Sequence, residues 1–315
     1  MSGQIVTLSG GVGGAKLVLG LSHIIQDEKL VVACNTGDDF DHLNLRICPD
    51  IDSVLYALSG LSDSVRGWGR KDETWTFMSA IKNLQGPDWF NLGDGDLATH
   101  VLRSDMLQQG LSLTEVTNNL AERLGISATI LPMSDDPVAT IVQTKMGDLA
   151  FQHYFVREQC EPSVTGFTFD KIEPASPQSH LLDALSTQPE AIIIAPSNPY
   201  VSVDPILHLP GLRTALQDAG APIVAVSPIV GGQAIKGPAA KMMNELGKDV
   251  SVTGIAAHYQ GLIDGLVLDE IDAEFAPQIK ALGIEPYVTQ TVMTDLESKV
   301  SLAQSTLDFA RELAQ

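Results

Sequence analysis

The apolar residues of this chain fall into short continuous runs that alternate with longer amphipathic stretches. Continuous apolar runs are typical of strands buried on both faces, and they occur at residues 5–8, 30–34, 128–131, 191–195, 222–227, 265–268 and 285–289. The amphipathic stretches have apolar residues at helical spacing, as at Leu17, Leu21, Ile24 and Ile25, and again at residues 296–313. This alternation predicts an α/β protein with a mostly parallel sheet flanked by helices.

One region departs from this rhythm and predicts a smaller lobe. Residues 139–144 and 149–156 have the pattern of a β-hairpin around Met146-Gly147-Asp148. From residue 160 to residue 189, prolines and polar residues dominate, which indicates a lobe boundary. We therefore expect residues 1–315 to form a single α/β domain, in which residues 133–189 are an inserted or peripheral lobe.

A glycine-rich turn, Ser9-Gly10-Gly11-Val12-Gly13-Gly14-Ala15-Lys16, joins the first predicted strand to the first predicted helix. Backbone N–H groups in such a turn can approach an anion closely, and the amino terminus of the helix adds partial positive charge. The turn matches neither common fingerprint, because a dinucleotide loop has glycine where Lys16 stands and a P-loop has Gly-Lys-Ser/Thr. It predicts a phosphate site, and the alternative is a tight turn without a ligand.

The amino-acid composition indicates which classes of partner such a site can have. The 315 residues include 19 Lys and Arg against 39 Asp and Glu, and the net charge of −20 repels nucleic acid and anionic lipid surfaces. Three cysteines without CxxC spacing, no leader-like segment and no apolar stretch of membrane-spanning length predict a cytoplasmic protein, with neither nucleic acid nor membrane among its partners. Basic residues beside glycines or turns are candidates for an anionic substrate, although surface salt bridges also explain them: Lys16, Arg46, Arg66, Arg70 and Lys236.

Five aspartates lie within fifteen residues after the second predicted strand, namely Asp38, Asp39, Asp41, Asp50 and Asp52. The carboxyl ends of neighbouring parallel strands line one crevice, so this acidic turn should face the same cleft as the glycine turn. Carboxylates beside a phosphate site suit Mg²⁺. The alternatives are that Asp50 or Asp52 caps the next helix and that Asp38 and Asp39 solvate a turn.

Two further segments of the first half carry candidate substrate contacts. Trp68, flanked by glycines and close to Arg66, can stack a flat heterocycle, whereas core packing is expected for Trp75 and Trp89. The second segment opens a predicted helix, and its polar side chains are Asp94, Asp96, Thr99 and His100. Helix capping explains one of its carboxylates, and a structural role is the alternative for its histidine.

Polar turns also follow two strands of the second half. Ser197 and Asn198 follow the run at 191–195, and their side chains suit phosphate or ribose contacts, although turns use such residues as well. Gly231, Gly232 and Lys236 follow the run at 222–227 and precede another predicted helix, which is the arrangement expected of a second anion site.

Seven segments occur together in one order: GGVGGAK at 10–16, TGDD at 36–39, RICPD at 46–50, RGWG at 66–69, GDGDLATH at 93–100, APSNP at 195–199 and SPIVGG at 227–232. On these segments the chain, over nearly its whole length, resembles the phospholactate transferases of deazaflavin coenzyme F-420 biosynthesis and their bacterial counterparts. The resemblance implies a Rossmann-like fold and a Mg²⁺-dependent transferase. Such an enzyme moves a phospho-three-carbon acid, 2-phospho-L-lactate or phosphoenolpyruvate, from a GDP-linked donor to the ribityl hydroxyl of the deazaflavin FO and releases GMP.

Site residues and assembly are assigned on the same basis, and a homodimer is expected. For catalysis we predict Asp38, Asp39 and Lys16; for the GDP-linked donor, Gly10, Gly11, Gly13, Gly14, Ser197, Asn198, Gly231, Gly232 and Lys236. For FO we predict Arg46, Arg66, Trp68, Asp94, Asp96, Thr99 and His100; for Mg²⁺, Asp38, Asp50 and Asp52. Which aspartate is a metal ligand and which is a base stays open, as does the identity of the three-carbon acid.

Two other classes of protein share parts of this pattern. A related family of cell-shape proteins, which bind nucleotide sugars without catalysis, has a similar glycine turn but is not expected to need RGWG or GDGDLATH. An NAD-dependent oxidoreductase would have a third glycine in place of Lys16. Both alternatives therefore rank below the transferase.

Overall fold

Strands and helices alternate through the chain, and the computed structural model describes them for residues 3–26 and 29–315. Met1, Ser2, Asp27 and Glu28, which the single-domain prediction includes, lie outside the described residues. The strands are β1 Ile5–Ser9, β2 Leu30–Cys34, β3 Phe40–His42, β4 Leu45–Ile47, β5 Thr129–Pro132, β6 Ala139–Thr144, β7 Gly147–Ala150, β8 Val164–Asp170, β9 Ala191–Ile194, β10 Ile223–Val226, β11 Ile229–Val230, β12 Gln233–Ala234, β13 Gly265–Asp269 and β14 Glu285–Thr289. The α-helices are α1 Gly11–Ser22, α2 Pro49–Leu58, α3 Thr76–Asn83, α4 Asp94–Gln108, α5 Leu113–Arg123, α6 Ser179–Ser186, α7 Asp204–Leu207, α8 Leu212–Asp218, α9 Ala239–Glu245, α10 Val252–His258, α11 Ala276–Ala281 and α12 Leu296–Leu313.

Seven strands form one parallel sheet in the order β14-β13-β10-β9-β1-β2-β5. From β1 the chain builds outward through β2 and β5 on one side, and through β9, β10, β13 and β14 on the other. The direction reverses between β1 and β9. In open α/β sheets, ligands bind outside the carboxyl ends of the strands at such a reversal. The predicted α/β fold with a parallel sheet and flanking helices is confirmed.

Two apolar layers, one on each face, bury this sheet. Successive strand residues alternate between the layers: on β9, Ile192 and Ile194 belong to one layer, and Ala191 and Ile193 to the other. Helices α1, α2, α5 and α12 cover the second layer, while the lobe and the helices after it cover the first. Burial of each such isoleucine contributes about 1.5–3 kcal/mol. Because both faces are covered, the strands read as continuous apolar runs.

The small lobe is a separate antiparallel sheet in the order β7-β6-β8. The predicted hairpin is present, but its second strand ends at Ala150 instead of residue 156, because the chain then turns into a π-helical segment at His153–Arg157. A third strand, β8, lies in the proline-rich stretch interpreted from the sequence as a boundary. Val142 and Val164 pack in the same apolar layer as Ile192, so the lobe shares its core with the main sheet.

Local signals at element ends differ in how well they predicted the structure. A capping box formed by Ser112 and Glu115, a motif recognisable from sequence spacing, starts α5. Helix α1 ends at Ser22, so Ile24 and Ile25 lie beyond it, half-buried against the core. Within residues 3–26 and 29–315, no helix combines the length and the apolar character that a membrane span requires.

Candidate active site at the carboxyl edge of the sheet

The glycine turn lies at the carboxyl end of β1, beside the turn that follows β9. A Cβ on Gly13 would overlap the carbonyl oxygen of Pro196, and one on Gly14 would overlap the Ser9 hydroxyl. Gly11, with φ +64°, has a conformation that favours glycine. The glycines are therefore needed for backbone packing at the switch point, whether or not a ligand binds there.

Ser197 joins the two turns that meet at this point. Its Oγ donates to the carbonyl oxygen of Gly10 at 2.6 Å and accepts from the Gly10 N–H at 3.3 Å. The side-chain oxygen of Asn198 accepts from the Tyr200 N–H at 3.0 Å. The structure thus brings Ser197 to the glycine turn as predicted, but it also shows protein partners for both side chains.

Asp50 connects the acidic segment to the amino end of α1. Its Oδ1 accepts from the Gly11 N–H at 2.6 Å, and its Oδ2 accepts from the side-chain amide of Asn35 at 2.9 Å. The same amide donates to the carbonyl oxygen of Val201 at 3.2 Å, and the Asn35 Oδ1 accepts from the Gly37 N–H at 2.8 Å. Asn35, which the sequence analysis did not single out, therefore joins the turns after β1, β2 and β9.

Asp38 and Asp50 are buried together beside the glycine turn. Burial raises the pKa of Asp38 well above its usual range, and the nearby Asp50 carboxylate adds to the increase, while a hydrogen bond from Asn35 opposes it. Burial also raises the pKa of Asp50, against the hydrogen bonds from Asn35 and Gly11. The Oδ1 of Asp38 is a buried oxygen without a hydrogen-bond partner in the described part of the chain. Among the described residues, no cationic side chain acts to lower either pKa, so these two carboxylates lack a compensating positive charge there.

Asp39 follows Asp38 in the acidic turn and lies next to Arg46. The Arg46 guanidinium comes from β4 of a tight hairpin and lies 3.7 Å from the Asp39 carboxylate and 3.6 Å from Asp41. Burial raises the pKa of Asp39 to about 7 although Arg46 acts to lower it. The structure therefore places Arg46, predicted from the resemblance as an FO contact, beside the predicted catalytic carboxylates.

Asp52 belongs to a different cluster. Arg103, fully buried, pairs with both oxygens of Asp52, and its guanidinium lies 3.1 Å from Nδ1 of His100. The His100 Nε2 lies 3.3 Å from Asp96, whose other oxygen accepts from the Tyr56 hydroxyl at 2.5 Å. The predicted metal role of Asp52 and FO roles of Asp96 and His100 stay predictions. In this network Asp52 is paired with Arg103 and Asp96 with Tyr56, whereas the His100 Nε2 has no hydrogen-bond partner among the described residues. Thr99 is buried beside them.

Asp94 and Glu73 cap each other's helices. Asp94 accepts from the Thr74 hydroxyl at 2.6 Å and from the N–H groups of Thr76 and Phe77 at 3.1 and 3.0 Å, at the start of α3. Glu73 accepts from the N–H groups of Gly95 and Asp96 at 2.7 and 2.8 Å, at the start of α4. The sequence analysis anticipated a cap here but assigned it to the wrong helix, and Asp94 as an FO contact stays a prediction.

Trp68 has 49% of its surface exposed. The Arg66 guanidinium stacks between Trp68 and Trp75, at 5.3 and 4.9 Å from their ring centres. The Nζ of Lys236 crosses from the second half of the chain to donate to the carbonyl oxygen of Gly67 at 3.0 Å. The structure thus brings three predicted substrate contacts, Arg66, Trp68 and Lys236, to one rim.

The remaining predicted anion contacts, Gly231 and Lys16, have hydrogen-bond partners within the protein. Gly231 and Gly232, with φ of 57° and 72°, form the two-residue turn between β11 and β12, and the Gly231 N–H is used by Asp272 at 2.9 Å. Helix α9 begins seven residues later, so these glycines do not form its amino end. Lys16 donates to the carbonyl oxygen of Met293 at 3.0 Å, and burial, with Lys236 and Lys299 nearby, lowers its pKa.

The acidic cleft fits a divalent cation supported by substrate oxygens. In the described ranges, no group of three or more His, Cys, Asp or Glu side chains is arranged to hold a metal ion by itself. Mg²⁺, however, commonly uses one or two carboxylates and completes its shell with phosphate oxygens and water. Asp38 and Asp50, uncompensated and partly without partners, match that requirement.

The parallel sheet, the switch-point turns and the acidic cleft define an α/β protein of Rossmann type with buried carboxylates at the carboxyl edge of its sheet. The family described as "2-phospho-L-lactate transferase CofD" matches residues 5–303, and the chain belongs to that family. It is therefore a transferase of the CofD kind, which decides against the oxidoreductase and the non-catalytic regulator.

Similar proteins carry two different names. A "phosphoenolpyruvate transferase" of Streptomyces coelicolor is 36% identical, over 99% of both chains. A "2-phospho-L-lactate transferase" of Methanococcoides burtonii is 41% identical, over 95% of this chain and 97% of its own. A solved structure of a upf0052 family member from Bacillus halodurans covers 98% of this chain and 99% of its own with a TM-score of 0.64, and at 15% identity it supports the fold alone.

Proposed function

We propose that this protein transfers a phospho-three-carbon acid from a GDP-linked donor to the terminal ribityl hydroxyl of FO, releasing GMP, in the biosynthesis of coenzyme F-420. The acid is 2-phospho-L-lactate or its phosphoenolpyruvate-derived counterpart, since the similar proteins carry both names. The observation that carries the proposal is the pair of buried, uncompensated carboxylates, Asp38 and Asp50, beside the switch-point turns.

The reaction is a displacement at the phosphorus that bears the acid. The hydroxyl oxygen of FO forms a bond to this phosphorus, the bond from phosphorus to the oxygen of GMP breaks, and the hydroxyl proton passes to a carboxylate. Asp39 suits that last role, because its pKa of about 7 allows it to take a proton near neutral pH. Such reactions depend mainly on positioning and on neutralisation of charge.

Residues of this chain would supply the positioning. Asp38 and Asp50 would hold Mg²⁺, which when bound neutralises charge on the diphosphate. Lys16, on the second turn of α1, would add positive charge, and the amino end of that helix carries partial positive charge. Asn35 keeps the Asp50 carboxylate in place.

The test is direct product analysis. Purified protein is mixed with FO, Mg²⁺ and a donor generated from GTP and either phospholactate or phosphoenolpyruvate by a guanylyltransferase. Mass spectrometry should detect a deazaflavin phosphodiester and GMP with at least one donor, and EDTA should abolish the product. Asp183→Asn, on the exposed side of α6, is the matched control for Asp38→Asn. Failure to form the phosphodiester with either donor would refute the proposal.

A further inference from the structure

A small hairpin formed by β11 and β12, residues 229–234, follows β10 at the carboxyl edge of the sheet. We call it the glycine hairpin, because Gly231 and Gly232 form its exposed two-residue turn. An isolated two-stranded hairpin has little stability by itself. Contacts from other segments must therefore determine the position of this hairpin.

One of these contacts comes from a buried carboxylate. Asp272 is 2% exposed and accepts from the Gly231 N–H at 2.9 Å, although 41 residues separate the two positions. Within residues 3–26 and 29–315, no basic side chain forms an ion pair with Asp272. A buried carboxylate without a cation depends on hydrogen bonds for its compensation, and a bond from an N–H group to a charged oxygen is a strong one. The tip of the glycine hairpin is therefore firmly held.

The segment that carries Asp272 is itself fixed. It is the 3₁₀ segment Glu270–Phe275, which directly follows β13. At the end of β13, the Asp269 side chain accepts from the Ile271 N–H at 3.2 Å. The same side chain accepts from the N–H and the hydroxyl of Thr291 at 2.7 and 2.9 Å. Because Thr291 follows β14, two neighbouring strands of the sheet determine where Asp272 lies.

The glycine hairpin leads into the segment that carries Lys236. Two residues after β12, Lys236 donates to the carbonyl oxygen of Gly67 at 3.0 Å. Burial lowers the pKa of Lys16, and the charge of Lys236 acts in the same direction, because the two ammonium groups lie near each other. Both lysines donate to carbonyl oxygens, and neither forms an ion pair with a carboxylate in the described part of the chain. In a chain with a net charge of −20, this arrangement favours an anionic ligand.

We propose that Asp272 is a positioning residue for the anionic donor: by holding the Gly231 N–H, it fixes the glycine hairpin and thereby places Lys236 beside Lys16. The inference rests on the proposed function, in which the donor contains a diphosphate. Asp272 does not contact the donor, because a carboxylate repels an anion. Gly231 then supports the hairpin, and Lys236 contacts the diphosphate.

Isothermal titration calorimetry with GDP and, separately, with FO tests this role. Asp272→Ala removes the acceptor of the Gly231 N–H and should increase the Kd for GDP about fivefold, while the Kd for FO should stay within about twofold. Asp272→Asn keeps an acceptor oxygen and should restore the Kd for GDP to within about twofold of the wild type. An increase that is as large for FO as for GDP would reveal a general structural effect and overturn the proposal.

A double-mutant cycle shows whether Asp272 acts through Lys236. Lys236→Met, at an exposed position, should increase the Kd for GDP about tenfold. Asp272→Ala/Lys236→Met should bind GDP no more weakly than Lys236→Met, because the position of the segment matters only while it carries the ammonium group. Independent effects would multiply to about fiftyfold and would overturn the proposal. A wild-type Kd for Lys236→Met would also overturn it, even if Asp272→Ala did not fold.

Asp264→Ala is the matched control. The Asp264 carboxylate accepts from the Ile223 N–H at 2.8 Å, which is a bond of the same kind at the amino end of β10. Its loss should leave the Kd values for GDP and FO within about twofold of the wild type. Equally weak GDP binding by Asp264→Ala would show that the effect is not specific to Asp272, and the proposal would fail.

The proposed function fails separately from this inference. Wild-type protein that forms the phosphodiester, while Asp272→Ala binds GDP normally, refutes the role of Asp272 alone. GDP binding that depends on Asp272 through Lys236, without formation of the phosphodiester, refutes the proposed reaction alone. Wild-type protein that neither binds GDP nor forms the phosphodiester refutes both.

Discussion

Asp50 and Asp52 stand two residues apart on α2 and are equally buried, at 4% exposure each, yet they have opposite surroundings. Asp52 faces the buried guanidinium of Arg103. Asp50 accepts hydrogen bonds from the Gly11 N–H and the Asn35 amide, which are uncharged groups. Two residues correspond to about 200° around a helix, so the two carboxylates point to opposite sides.

We infer from this contrast that the charge of Asp52 stabilises the fold, whereas the charge of Asp50 is available to a ligand. A buried carboxylate costs several kcal/mol unless a partner compensates it. Around Asp52, Arg103 and the His100–Asp96–Tyr56 chain supply the partners. Around Asp38 and Asp50, burial raises both pKa values, and the Asp50 carboxylate adds to the increase at Asp38. We therefore expect substitutions in the first cluster to affect stability, and substitutions in the second to affect activity.

The largest effect is expected when the compensated cluster loses its cation. Arg103→Met should lower the free energy of unfolding by about 3–5 kcal/mol, because Asp52 is left as an unpaired buried charge. Urea denaturation measures this loss. The double variant Asp52→Leu/Arg103→Met should recover much of it. A single variant within about 1 kcal/mol of the wild type would show that the pair does not stabilise the fold.

Asp38→Asn should have the opposite profile. Loss of the carboxylate should reduce kcat about 100-fold or more, because charge neutralisation in the cleft is lost. The melting temperature should stay the same or rise, since an uncompensated buried charge is removed. Turnover by mass spectrometry and thermal denaturation measure the two effects. An Asp38→Asn variant that does not fold would contradict this prediction. It would show that the Asp38 charge, like that of Asp52, is needed for the stability of the fold.

The fold could be predicted from the sequence to a large extent because its strands are buried on both faces. Each of the seven apolar runs is a strand of the central sheet, and the segment 296–313 is α12 as predicted. Strand β8 was missed because its burial is partial and alternating, and because it lies in a polar, proline-rich stretch. The position of the candidate site at the carboxyl ends of the strands was predicted from the parallel topology alone.

The partners of individual side chains could not be predicted in the same way. The motif RICPD and the segment around Asp52 gave no sign that Arg103, 51 residues away, would pair with Asp52. Asp94 likewise caps α3, which precedes it in the chain, and not its own helix. The one available signal for Arg103 was its spacing of three residues from His100 on a helix, which places both on one face.

The compensated cluster also predicts a pH dependence. Burial acts to raise the pKa of Asp96, but hydrogen bonds and charge from His100, Tyr56 and Arg103 outweigh it and lower the pKa below its usual value. A depressed pKa contributes stability that is present above the unfolded value of about 3.9 and is lost as the pH falls through the folded value. Asp96→Asn should therefore cost about 1–2 kcal/mol at pH 7.

Urea denaturation at several pH values between about 7 and 2.5, a range that extends below the unfolded pKa of about 3.9, provides the measurement. The difference between the wild type and Asp96→Asn should be constant near neutral pH and shrink only at the acidic end, as the wild-type carboxyl becomes protonated. Asp183→Asn, on the exposed side of α6, should show no such trend. A difference that grows as the pH falls would contradict a stabilising role for the ionised carboxylate.

The smallest effect is expected at the reciprocal caps, because the side chains of Glu73 and Asp94 belong to neither cluster. Glu73→Ala removes the acceptor for the first N–H groups of α4 and should lower the free energy of unfolding by about 1 kcal/mol. The exposed Glu122→Ala on α5 is the control and should change stability by less than about 0.5 kcal/mol. Helix α4 also carries Asp96, His100 and Arg103. The Glu73 cap therefore affects the compensated cluster only by fixing the position at which α4 begins. For Glu73→Ala, the kcat and the KM for FO should therefore stay within about twofold of the wild type. A tenfold rise in the KM for FO would contradict this expectation and would place the segment in the acceptor site.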